Sequence, residues 1–322
     1  MTGSGGVVIE IRGLRKEFRR IRGGSTIAVA GLDLEVPSGG VFGFLGPNGS
    51  GKTTTIRCLL GLVSPTAGAC RLLGASSRGE LAAVLPRVGS LVEAPAAVPG
   101  FSGRRNLTLL ARIAGVGRRR VDEVLELVDL AGRAGDRVRT YSLGMRQRLG
   151  IAAALLKDPE VLILDEPANG LDPAGIKEIR DLLRSLGREG RTVFVSSHLL
   201  GEVQQMCDRV AILSAGRLIA AGAVDEVLSR GRAAAALMVR VDDQTAALGT
   251  LRDAGIEAQP GGDVLRASVP PAEAWRVTKA LADRGIYLSE LRPEEVSLET
   301  VFLELTGTTP PAAEPRADGS AP

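Results

Sequence analysis

Gly46, Pro47, Asn48, Gly49, Ser50, Gly51, Lys52 and Thr53 follow the order G-x-x-x-x-G-K-[ST] at every fixed position. The chemistry that this spacing serves is the binding of a nucleoside triphosphate. Glycines at 46, 49 and 51 let the backbone take angles closed to other residues, so that several N–H groups turn inward as an anion-binding nest. A helix starting near Lys52 adds its positive dipole end. The Lys52 ammonium reaches the β- and γ-phosphates, the Thr53 hydroxyl is a candidate Mg²⁺ ligand, and Thr54 follows in the first turn. The alternative is a glycine-rich turn that binds nothing. The context opposes it, because an apolar run at 41–45 precedes the loop and a helical pattern at 54–60 follows it.

Two adjacent acids form the second group. Val161, Leu162, Ile163 and Leu164 run into Asp165 and Glu166, and successive strand side chains point to opposite sides, so the two acids cannot share one role. In phosphate-loop enzymes the acid ending this strand holds Mg²⁺. That assigns Asp165 to the metal and leaves Glu166 as general base near the γ-phosphate. A surface turn that happens to be acidic is the competing reading. His198 is the one histidine of the chain and follows the strand-like run 192–197. A lone histidine is more often a structural hydrogen bonder than a catalyst, but nucleotide sites of open α/β sheets lie beyond the ends of such strands. Phe18 sits in an expected loop, where it would stack on a purine or anchor a turn.

The elements that must hold these groups follow from pattern and composition. The 322 residues are 44% hydrophobic and 3% aromatic, so the core is built from Leu, Val, Ile and Ala, as in buried parallel strands flanked by helices. We expect an α/β fold with a phosphate-loop NTPase core over 7–230, a helical subdomain inserted at about 94–160, and a small C-terminal α+β domain over 237–307. Residues 308–322, rich in Pro and Ala, are expected to be disordered. Within this scheme an edge strand is expected at 8–11, helices at 106–113, 121–130, 149–156 and 174–187, and a hairpin at 210–219. The C-terminal domain reads as strand 237–241, helix 245–254, strand 264–269, helix 272–284, strand 287–291 and helix 297–305.

Forty basic and 37 acidic residues leave a formal charge of +3, and the basic residues are scattered, so the densest runs, 15–22 and 118–120, read as solvated faces rather than a nucleic-acid groove. Cys58, Cys70 and Cys207 have no paired spacing, which argues against a disulfide framework or a zinc site and suits a reducing compartment. No apolar run has bilayer-spanning length, so the chain is expected to be soluble by itself and any membrane role to require a partner.

With these residues assigned, the chain resembles the ATP-binding subunits of ABC transporters over roughly residues 7–230. Tyr141, Ser142, Leu143, Gly144 and Met145, followed by Arg146, Gln147 and Arg148, resemble the signature loop usually written L-S-G-G-Q, placed directly before the helix at 149–156. Asn169, Gly170, Leu171 and Asp172 resemble the D-loop, His198 the switch histidine, Glu93 the Q-loop position and a further metal ligand, and Phe18 the adenine-stacking aromatic. The resemblance implies a homodimer in which ATP with Mg²⁺ lies between the phosphate loop of one copy and Ser142 and Gly144 of the other. It also implies a separately encoded transmembrane permease, attachment to the cytoplasmic face of the membrane through it, and no nucleic-acid partner. Leu143 and Met145 depart from the usual Gly and Gln. Glu93 stands where Gln is usual, and the loop around it resembles exporters of bacitracin-like and lantibiotic peptides. The C-terminal module resembles the extension of daunorubicin-type drug exporters. A soluble ABC ATPase acting on ribosomes or DNA is the alternative, as is a sensor that binds ATP without hydrolysing it.

Overall fold

The structure is a computed structural model that describes residues 6–19, 23–76, 79–92, 97–232, 236–294 and 297–306. Glu93 and the tail at 308–322 lie outside the described residues. The chain divides into two compact units, Met1–Val224 and Asp225–Pro322.

The first unit holds two sheets with a helix between them. Strands β1 (Val7–Arg19), β2 (Ser25–Pro37), β4 (Ala67–Leu72) and β5 (Ala75–Ser76) form an antiparallel sheet in the order β2-β1-β4-β5. The second sheet runs β10-β9-β3-β8-β7-β6, with β3 (Gly40–Leu45), β6 (Val88–Leu91), β7 (Val161–Asp165), β8 (Thr192–Ser197) and β9 (Arg209–Ser214) parallel and β10 (Arg217–Ala223) antiparallel at its edge. Helix α1 (Lys52–Leu59) contributes Ile56, Cys58 and Leu59 to the core formed with Ile9, Ile11 and Cys70 of the first sheet and Phe42, Phe44, Ile163 and Phe194 of the second. Strands β3, β7 and β8 are buried on both faces, which is why they read as continuous apolar runs.

At the centre of the parallel sheet Phe194 lies against Phe42 and Phe44, with ring centroids 5.8 and 5.2 Å away, and it is fully buried. Replacing Phe194 by Ala is expected to lower the unfolding free energy by about 3–5 kcal/mol, measured by urea titration with an unchanged m-value.

Short α2 (Leu81–Val84) precedes β6, and the segment between β6 and β7 is helical: α3 (Gly103–Ile113), α4 (Arg118–Leu127) and α5 (Leu143–Leu155). Ser102 caps α3 by accepting from the Arg105 N–H at 3.2 Å. Of the arginine run, Arg120 is drawn inward, donating to the Leu155 carbonyl at 2.9 Å and to Asp158 at 3.0 Å, while Arg119 pairs with Glu123. Asp158 also accepts from Arg191 at 2.8 Å, and this contact above all holds its carboxyl below the ordinary value. Helix α6 (Pro173–Arg188) leads into β8, and α7 (Leu200–Met206) into β9.

Helix α8 (Val224–Arg232) begins at the last residue of the first unit, and the second unit carries the rest of it with β11 (Leu237–Val241), α9 (Gln244–Asp253), β12 (Ala258–Gly261), β13 (Val264–Ala267), α10 (Ala274–Ala282), β14 (Leu288–Pro293) and α11 (Leu298–Thr306). Its antiparallel sheet has the order β12-β13-β11-β14 and buries its own core of Leu237, Val239, Leu251, Leu265, Val277 and Leu281. Sequence periodicity did not reveal β12, whose residues are mostly exposed.

Three expectations change. The strand expected at 8–11 is thirteen residues long and lies inside its sheet, because β2 and β4 both pair with it. Phe18 is on that strand, paired with Thr26, and not on a loop. Residues 143–145 form the first turn of α5 rather than a loop ahead of a helix at 149, because Ser142 caps the helix six residues earlier.

All three thiols are buried: Cys58 and Cys70 completely, and Cys207 nearly so. Burial raises each above its ordinary value, Cys70 to about 12. Among the described residues no helix is long and apolar enough to cross a membrane.

Candidate active site

Parallel pairing brings the functional ends of three strands together. Leu45 of β3 is opposite Ser197 of β8, and Ser196 of β8 is opposite Asp165 of β7. The residues that follow these strands, 46–52, 166 and 198, therefore meet at one edge of the sheet, where ligands bind in open α/β folds.

The loop from Gly46 to Gly51 has the backbone its glycines permit. Gly51 has φ of 104°, and a Cβ there would lie 2.5 Å from the Ala28 carbonyl oxygen. Gly46 has φ of 156°, and its Cβ would lie 2.4 Å from the Leu213 carbonyl oxygen. Pro47, Asn48 and Gly49 are exposed at the turn, whereas Ser50 is 2% exposed and its hydroxyl has no hydrogen-bond partner among the described residues. A buried hydroxyl left unpaired in a glycine-rich loop at a helix start fits an anionic ligand. Thr53 and Thr54 are half-buried at the start of α1, and the Thr55 hydroxyl donates to the Gly51 carbonyl at 2.9 Å.

Lys52 is almost wholly buried. Its ammonium donates to the carbonyls of Gly46 at 2.6 Å and Pro47 at 3.3 Å, and lies 3.2 Å from Glu166 Oε1. The other carboxylate oxygen, Oε2, is 2.8 Å from His198 Nδ1 and accepts from the His198 N–H at 3.3 Å. Glu166 thus stands between a cation and an imidazole. Its φ of 50° is left-handed, a conformation that costs a non-glycine residue on the order of 1–3 kcal/mol. Ser196 supports it: the Glu166 N–H donates to the Ser196 carbonyl at 3.2 Å and to its hydroxyl oxygen at 3.0 Å. The same hydroxyl donates to Asp165 Oδ1. The adjacent acids therefore occupy different surroundings, Asp165 buried against Ser196 and Glu166 against Lys52 and His198. Ser196 was not picked out in the sequence, where the only signal was a Ser-Ser pair ending an apolar strand before the histidine.

The remaining candidates are elsewhere on the first unit. Ser142 caps α5, its hydroxyl accepting from the Met145 N–H at 3.2 Å, and Leu143 is 41% exposed. Asp172 caps α6 by accepting from Gly175 N–H at 3.1 Å, with Pro173 at the first helical position. Phe18 is 42% exposed, with the Lys16 ammonium 4.8 Å from its ring centroid. Glu93 lies outside the described residues. Among the described residues no three Asp, Glu, His or Cys side chains cluster as a closed metal cage. Thr53 and Asp165 are oxygen donors of the kind Mg²⁺ takes when phosphates supply the rest of its shell.

Residues 29–169 match the family model described as ABC transporter. An ABC transporter ATP-binding protein of Bacillus subtilis, YhcH, whose own role is uncharacterized, is 44% identical over 94% of this chain and 97% of its own length. This chain belongs to the family of ABC transporter ATP-binding proteins.

Other ABC relatives match over similar lengths. The bacitracin transport ATP-binding protein BcrA of Bacillus licheniformis is 40% identical over 88% of this chain and 94% of its own. The daunorubicin resistance ATP-binding protein DrrA3 of Streptomyces coeruleorubidus is 40% identical, covering 93% and 96%. Among solved structures, the cbiO1 protein of Clostridium perfringens, part of the ABC transporter complex cbiONQ, superposes with a TM-score of 0.62 at 28% identity, over 70% of this chain and 92% of that one. A dimeric ATP-binding cassette bound to ADP and Pi in a post-hydrolysis state superposes with a TM-score of 0.61 at 23% identity, over 67% and 98%, and shares the fold. The first unit is therefore an ABC ATPase with the phosphate-loop NTPase fold, and ATP hydrolysis is its activity.

Proposed function

We propose that this ABC ATPase energises a separately encoded membrane permease that exports a drug, a peptide antibiotic or a lipid-like molecule, and that it works as a homodimer at the cytoplasmic face of the membrane. The observation that carries the partner is an apolar groove of about 470 Å³ between β6 and the helices α3 and α5. Leu91, Leu107, Leu110, Ile113 and Leu149 line it, and Ile113 is 85% exposed at its rim. A hydrophobic groove of this size on a soluble unit fits an inserted protein segment. The relatives named for bacitracin transport and daunorubicin resistance support the class of cargo. The reading as an ATPase of ribosomes or DNA is not favoured, since the relatives matching nearly the whole length carry transport names.

In this reading the loop amides, Lys52 and the Ser50 hydroxyl hold the triphosphate, and Phe18 offers an exposed face to the base. Thr53 and Asp165, with Glu93 as a further oxygen donor, would hold Mg²⁺, which would supply charge neutralisation for the transferred phosphate. Glu166 takes a proton from the attacking water. The water oxygen bonds to the γ-phosphorus, and the bond from that phosphorus to the β–γ bridging oxygen breaks with its electron pair leaving on ADP. His198, fastened to Glu166, orients water and γ-phosphate. Ser142, Leu143, Gly144 and Met145 form the helix start that completes the site on a second copy, and Asp172 shapes the loop beside it.

Replacing Leu110 and Ile113 by Glu is expected to leave the ATPase rate of the isolated chain unchanged and to abolish copurification with a tagged membrane partner. Retention of that partner by the double variant would remove the groove as its seat.

A further inference from the structure

Leu143 stands where the resembled signature loops have glycine, and its side chain is not idle. Its Cδ2 lies 3.2 Å from where a Cβ on Gly170 would be. The Leu171 Cδ2 is 3.8 Å from the Cβ position of Gly144. Each leucine therefore stands beside the glycine next to the other one. The two segments are 27 positions apart in sequence, and this crossed pair joins the helix start at Ser142 to the turn that follows Glu166.

The turn is short and fixed at both ends. Its first residue, Glu166, accepts the Asn169 N–H at 3.1 Å on its carbonyl, and its last, Asp172, caps α6. A displacement of Gly170 and Leu171 has little slack in which to be absorbed before it reaches Glu166. We infer that Leu143 is a positioning residue: it clamps the signature turn to the Gly170–Leu171 segment, so that capture of a phosphate by Ser142 and Gly144 is transmitted within the same chain to Glu166. This rests on the composite dimer site proposed above. A glycine at 143 has no methyl groups with which to make the contact, so this chain carries a linkage that the usual signature lacks.

The test uses the full-length chain with Leu143→Ala, Leu143→Met, Gly170→Ala and the double variant Leu143→Ala/Gly170→Ala. For Leu143→Ala, kcat is expected to fall about 3- to 10-fold with KM for ATP within about two-fold, because the removed coupling is one between contacting residues. Leu143→Met, which keeps a flexible apolar side chain, is expected to recover most of the rate lost in Leu143→Ala. Gly170→Ala meets Leu143 and strains a φ of 74°, and its effect on kcat is expected to be non-additive with Leu143→Ala. Hydrogen exchange of residues 166–175 is expected to slow on adding ATP in the wild type and not in Leu143→Ala, a readout that a merely structural side chain would not move. Additive effects together with unchanged ATP-dependent protection overturn the inference. If Ser142→Ala still lowers turnover in that case, the composite site stands without the clamp. If Ser142→Ala is also silent, the composite site falls as well.

Discussion

Replacing Glu166 by Gln is expected to lower ATP turnover at saturating substrate by about 10²–10⁴-fold, the range that a positioned general base contributes. The change is nearly isosteric and leaves the left-handed backbone at 166 as it is. The amide can still bond His198, so the site keeps its shape and loses only the proposed proton acceptor. Lys52 keeps its bonds to the Gly46 and Pro47 carbonyls when the carboxylate is gone. Nucleotide affinity is therefore expected to stay close to that of the wild type, and the loss to appear in kcat. Phosphate release and equilibrium binding of a fluorescent ATP analogue separate the two. A wild-type rate would show that the proton goes elsewhere.

The second large effect concerns Gly144, where substitution should damage the activity and spare the fold. A Cβ there would meet nothing closer than Leu171 Cδ2 at 3.8 Å and Ser142 Oγ at 3.9 Å, which is ordinary contact. Alanine is also a better helix former than glycine in the first turns of α5. Among the described residues nothing requires glycine at 144, in contrast to Gly51, whose Cβ would strike a carbonyl. The space above Gly144 is therefore expected to be used by a second copy. Gly144→Ala is expected to melt at or slightly above the wild-type temperature and to lose about 10²-fold in turnover, the effect of misplacing a reacting group by about an ångström. Thermal denaturation and steady-state ATPase measured on one preparation check both halves. Full activity in a stable Gly144→Ala protein would remove this residue from the trans contact.

That Lys52, Glu166 and His198 come together was legible because each follows an apolar run that reads as a buried strand, 41–45, 161–164 and 192–197. Parallel pairing then brought their ends together. What escaped depends on long-range geometry. Serine at the end of a strand has many fates, and only the register of β7 against β8 gives Ser196 a hold on Asp165 and on the Glu166 N–H at once. The start of α5 was read six residues late, since Gly144 and the polar run 146–148 break the apolar period while the cap at Ser142 outweighs them. Strand β1 read as an edge because its partners are at 25–37 and 67–72, too far along the chain for local pattern to report.

The burial of the three native thiols also settles how this protein can be labelled. Burial pushes the Cys70 thiol up to about 12, so little of it is thiolate at neutral pH, and Cys58 and Cys207 are buried as well. Maleimide and spin-label chemistry therefore has no fast native target, and a cysteine introduced at an open position such as 113 or 143 becomes the preferred reacting thiol. Distances across the groove or between two copies can be read from the wild-type background, without first stripping sulfur from a core that has packed around it.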